Sequence, residues 1–156
     1  MQPQSKTVIM KKKLYALAGG LVGTTVLTAL HQSIRYAFPD IAPRMDLLDL
    51  SLIHKAGDRM HLALPSDNEL YKATFIGEIV CNTAYYSLIG GDCPQVKGWL
   101  LGAVAGASAV ILPEHLGIDS APSNRTKITQ YLTVGYYVAG ALAAAATIKW
   151  LNNLSD

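Results

Sequence analysis

The sequence predicts an all-α, four-helix transmembrane bundle with a short amphipathic helix in its first extramembrane loop. Three observations carry this. Half of the 156 residues are apolar (51%) and only 15% are charged, against about a quarter in an ordinary soluble domain. The few charges bracket long runs that lack them. Between Lys13 and Arg35 lie 21 residues whose only charged or histidine side chain is His31, between Lys72 and Asp92 lie 19 with Glu78 alone, between Lys97 and Glu114 lie 16 with none, and between Lys127 and Lys149 lie 21 with none. About 20 mostly apolar residues cross a bilayer core as a helix. Finally, "GALAAAATI" and "GWLLGAVAGASAVILP" show no polar face repeating at helical period, as helices of soluble proteins do.

Residues 1–12 read as a polar leader, with Met10 as the more ordinary place for an N-terminus. The first span is expected at about 13–36. Its basic head and apolar run resemble a secretory signal, but "LTALHQ" is a poor cleavage site, so the run is read as a retained helix. In the loop that follows, a surface helix is expected at about 43–56, with Pro43 at its start and Gly57 just past its end. Met45, Leu48 and Leu52 are placed on one face, and Asp46, Asp49 and Lys55 elsewhere, so the helix lies on the membrane surface or lids the bundle. The Ser66-Asp67-Asn68 cluster caps the second span, at about 69–90. "GGDCPQ" is a short turn, which makes the second and third spans antiparallel neighbours, the third at about 96–115. A polar loop with a Ser/Asn cap leads to the fourth, at about 127–150.

Helices in lipid associate through close packing at small residues. Gly19 and Gly23, then Gly98, Gly102 and Gly106, then Gly135, Ala139 and Ala143 form three small-residue stripes. They are read as seams within the chain, with a homo-oligomer or a membrane-protein partner as the sharper alternative. An offset of 83 aligns Gly19 with Gly102 and Gly23 with Gly106, the mark of a two-plus-two duplication with related helices running the same way. Lys6, Lys11, Lys12 and Lys13 ahead of the first span argue for a cytoplasmic N-terminus, and four spans return the C-terminus to that side, although over the whole chain six basic residues would lie inside and seven outside, so the rule does not decide globally. The bilayer is the expected partner. A net charge of +2 is too small to argue for nucleic acid.

The chemistry centres on Glu78. Tyr71, Thr74, Glu78, Cys81, Asn82 and Tyr85 share one sector of the second helix, while Ile76 and Val80 point the other way. An acid near a helix centre costs about 2.5–3.5 kcal/mol to insert, so it needs a proton or a partner. The expected topology brings His31, Gln32, Asn82, Glu114, His115 and Gln130 to the same leaflet as Glu78. The first reading is a structural polar core that fixes helix register in an accessory protein. The alternative is a proton- or solute-coupled transporter, or a channel-like protein, running through Glu78. No catalytic residue, metal site or cofactor is assigned: the Glu-x-x-His and His-Glu-x-x-His spacings, a phosphate-binding glycine loop and a serine elbow are all absent. Cys81 and Cys93 form neither a disulfide framework nor a zinc spacing.

"GGLVGTTVLTALHQSIRYAFPDIAPRMDLLDL", with its Pro43-Arg44-Met45-Asp46 segment, and "KGWLLGAVAGASAVILPEHLG" resemble small uncharacterised bacterial integral membrane proteins of four helices. The resemblance covers most of the chain. It implies the bacterial inner membrane as the address, and no activity or functional residues come with it.

Overall fold

The computed structural model describes residues 6–155. Six helices run through them: α1 (Lys6–Ala37), α2 (Met45–Met60), α3 (Asp67–Ser87), α4 (Pro94–His115), α5 (Ala121–Asn124) and α6 (Lys127–Asn153), with no strand among the described residues. The expected leader is largely helical: α1 begins at Lys6 and runs for 32 residues, while residues 1–5 lie outside the described part. The expected surface helix is α2. Gly57 does not end it. The helix continues to Met60 and stops at His61, which takes a left-handed conformation (φ 52°). Gly57 is small instead because the Leu64 side chain packs over it, 2.7 Å from where a Cβ would stand.

Three helices, α1, α4 and α6, are long and apolar enough to cross a membrane. α3 has 21 residues, but Asp67, Glu69, Lys72, Glu78 and Asn82 keep it out of that set. Ser66 starts it by donating from its N–H (3.2 Å) and its hydroxyl (2.8 Å) to Glu69. The cap of α6 is Thr126, whose hydroxyl oxygen accepts from the Thr129 N–H at 3.0 Å. The expected Ser/Asn cap falls instead in the short helix α5.

α6 is the central element, packed along α1 on one side and α4 on the other, and α1 packs in turn against α3. The order across the bundle is α3, α1, α6, α4. Tyr15 Oη lies 2.7 Å from Ser155 Oγ, so the start of α1 meets the end of α6. Gly98 faces Ala141 and Ala145, and Gly106 faces Val134, so α4 also runs against α6. Gly20 meets the Thr83 carbonyl and Gly90 meets Ala16, so α3 runs against α1. α1 and α4 therefore run the same way.

The seams use most of the expected small residues. A Cβ on Gly23 would stand 2.5 Å from the Gly140 carbonyl oxygen, and one on Gly102 would stand 2.7 Å from Val138 Cα. Gly19 rests on Ile148 and Ala144. The stripe expected on α6 is out of phase. Gly135 meets nothing within 4 Å, and Ala139 and Ala143 are half-buried. Two other small faces make the contacts: Gly140 and Ala144 against α1, Ala141 and Ala145 against α4. The aromatic side chain of Tyr86, fully buried among these helices, ties α3 to the centre by donating to the Tyr137 carbonyl at 2.9 Å.

Candidate functional site

α2 is a lid. The segment leading into it is stitched to the end of the bundle: Arg44 N–H donates to Pro122 O at 2.8 Å, Thr129 Oγ1 donates to Ile41 O at 3.0 Å, and buried His31 bonds through Nε2 to Pro43 O at 2.8 Å. Met45 and Leu48 then face inward and are buried. Asp49 follows Met45 by four residues and precedes Leu52 by three, so it shares their face. The sequence pattern put Asp46 and Asp49 away from the face of Met45, Leu48 and Leu52. The structure turns both into the bundle.

Two cavities open beneath the lid, of about 390 and 420 Å³. They share Met45, Asp49 and Leu52 of α2, Cys81 and Asn82 of α3, and Tyr137 of α6. Glu78 lines the first, together with Asp49. On its other side Glu78 borders a narrow crevice with His31, Gln32, Arg35, Asp46 and Tyr71. Glu78 makes no hydrogen bond or ion pair with any described side chain.

The cations nearby are committed elsewhere. Arg44 forms a bidentate pair with Asp46 at 3.0 and 2.9 Å, and Arg35 reaches the same carboxylate at 3.4 Å. Burial alone would raise the Asp46 carboxyl, but the Arg44 hydrogen bond and charge, with Arg35 behind them, hold it below the usual carboxylate range. Asp49 has no such partner. Burial, and then the Asp46 charge, push its carboxyl up to about 6. A carboxyl raised in the fold contributes stability below its unfolded pKa, near 3.8, and loses it as pH climbs through about 6. Asp49→Asn removes that loss. It is expected to raise thermal stability at pH 8 by on the order of 1 kcal/mol, with little change at pH 4, read by melting in detergent at both values.

The expected cluster assembles in part. His31, Gln32, Glu78 and Asn82 border the cavities or the crevice. Glu114, His115 and Gln130 do not. Pro113 takes the buried position at the end of α4, and the next two residues, about 100° and 200° round the helix, are turned outward. Both are exposed, and His115 Nδ1 bonds only to Ile111 O of its own helix, at 3.0 Å. On α6 the inward position belongs to fully buried Thr129, and Gln130 accepts from Lys127 at 3.4 Å. Among the described residues no three His, Cys, Asp or Glu side chains gather as a metal set would. Sequence reasoning missed Asp49 and Tyr137. The signal for Asp49 was its i+4 relation to Met45; Tyr137 had none beyond its place in an apolar helix.

Comparison of the chain with protein-family models, with curated proteins and with solved structures finds no match in any of the three.

Proposed function

We propose that this is a four-span protein of the bacterial inner membrane that exchanges protons, coupled to a solute, through the cavity holding Glu78 and Asp49. The observation that carries the reading is the unpartnered state of Glu78. A purely structural acid would be bonded between helices, because an unsatisfied polar group in an apolar setting is costly. Here the carboxyl instead borders open space beside a second acid. α3 is the fourth crossing in this reading. α1 and α4 start on the same side of the bundle, so the chain must return across the membrane between them, and α3 lies antiparallel along α1 for its length. Lys11, Lys12 and Lys13 support a cytoplasmic starting side, and the Tyr15–Ser155 contact puts the C-terminal end of α6 on the same side as the start of α1.

Infrared difference spectroscopy of the protein in lipid tests this. A protonated-carboxyl band that comes and goes with the pH of the medium, and is missing in Glu78→Gln, is the expected result. A band that stays fixed across the accessible pH range would mean a sealed structural bond and would end the proposal.

A further inference from the structure

The chemistry of the cavity walls goes further than the presence of an acid. Among the described residues, Asp49 and Glu78 are the only charged ones lining either large cavity. The rest of the wall is mostly apolar, with Met45, Leu52, Ile53 and Leu112 prominent in it. The first cavity lies between α2, α3 and Tyr137 of α6; the second shares these walls and extends to α4, which meets α3 where Tyr85 Oη donates to Leu101 O at 2.9 Å. Every nearby cation is engaged outside the cleft. Arg35 and Arg44 hold Asp46, and Lys55 Nζ donates to Gly117 O at 2.6 Å. The other charged and polar groups facing the two acids are Arg35, His31, Gln32, Asp46 and Tyr71 across the crevice, with Thr74, Cys81, Asn82 and Tyr137 around the cavity. Neither Arg35, paired with Asp46, nor buried His31, bonded to Pro43 O, lines either of the two large cavities.

We propose that the cleft beneath α2, walled by α3, α4 and Tyr137 of α6, binds an amphipathic cation, its positive head between Asp49 and Glu78 and its apolar body along the cleft wall. This rests on the proposed proton-exchanging role of Glu78 and names the class of solute for it. Two carboxylates in a poorly solvated space cannot both ionise cheaply without a counter-charge. A bound cation supplies that charge and releases the proton, which is the coupling an exchanger needs. The apolar wall selects an amphiphile over an inorganic ion, whose hydration shell the wall does not replace.

Cys81 lines both cavities and is a built-in reporter. In a Cys93→Ser background its thiolate is titrated with methanethiosulfonates, forming a mixed disulfide and releasing methanesulfinate. The trimethylammonium reagent is expected to react about tenfold or more faster than the sulfonate reagent, each relative to its rate with a free thiol. Decyltrimethylammonium should protect Cys81, and decyl sulfate should not. In Asp49→Asn/Glu78→Gln both the charge preference and the protection vanish. A neutral methyl reagent, reacting as fast with that variant as with its parent, shows the fold intact. Equal rates for the two charged reagents, equal protection by both amphiphiles, an unchanged preference in the double variant, or an unreactive Cys81 would each overturn the proposal. If the infrared band responds to pH but Cys81 shows no charge preference, the acid is functional and its solute is of another class. If Cys81 prefers cations while the band is fixed, the cleft is a binding site without proton exchange.

Discussion

Glu78→Gln abolishes proton movement coupled to decyltrimethylammonium when the protein is reconstituted in liposomes carrying an internal pH dye. In the parent protein, adding the cation on one side of a preset pH gradient accelerates dissipation of the gradient. In the variant the rate falls to that of protein-free liposomes. Glutamine keeps the volume and hydrogen-bonding atoms of the acid but cannot ionise, so the protein folds and inserts while the exchange stops. The substitution even lowers the cost of the site, since a charge near a helix centre costs about 2.5–3.5 kcal/mol on insertion scales. The parent result also separates the carrier from its neighbours. A channel-like protein dissipates the gradient with no cation added, and an accessory scaffold does so in neither condition. Asp49→Asn weakens the exchange without removing it, because Asp49 holds the cation beside Glu78 and sits on the lid, outside the crossing helices.

The two carboxylates show how unevenly the site is written in the sequence. Glu78 announces itself as the lone charge in a long apolar run. Asp49 sits in a segment with acids, bases and a histidine nearby, where a carboxylate reads as solvated. Its burial depends on α2 folding back over the bundle. That in turn depends on His31, Thr129 and Pro122, residues far apart in the chain, meeting the backbone of residues 41–44. The helices themselves were legible because hydrophobic run length and capping are local properties, and Ser66 with Glu69 marks the start of α3 within four residues. The outward turn of Glu114 and His115 was not, because it depends on the rotation of α4 about its axis, and Pro113 fixes that rotation by packing inward. The same limit applies to α6. Its sequence offers small residues on several faces, and only the presence of two neighbours, α1 and α4, decides which pair of faces is used.

That choice of faces can be measured. Gly102→Val is expected to destabilise the bundle by roughly 1–3 kcal/mol, the usual range for inserting carbons into a closed interface. The first added carbon stands 2.7 Å from Val138 Cα and 2.9 Å from Ala141 Cβ. Those are backbone and Cβ atoms of a helix that cannot rotate out of the way, so α4 and α6 must separate along the whole seam. The loss is dispersion contact, which is what holds helices together where lipid is as apolar as the side chains. Gly135→Ala is the control. It lies in the same central helix, but its Cβ meets nothing within 4 Å, so it gains helix propensity and stabilises by roughly 0.5–1 kcal/mol. Unfolding of both variants in mixed micelles with rising sodium dodecyl sulfate reads the difference. Opposite signs mean that the seam runs through Gly102 and bypasses Gly135. If Gly135→Ala were the damaging change, α6 would be rotated from the arrangement described, and Tyr137, which closes the back of the cleft, would no longer face Glu78.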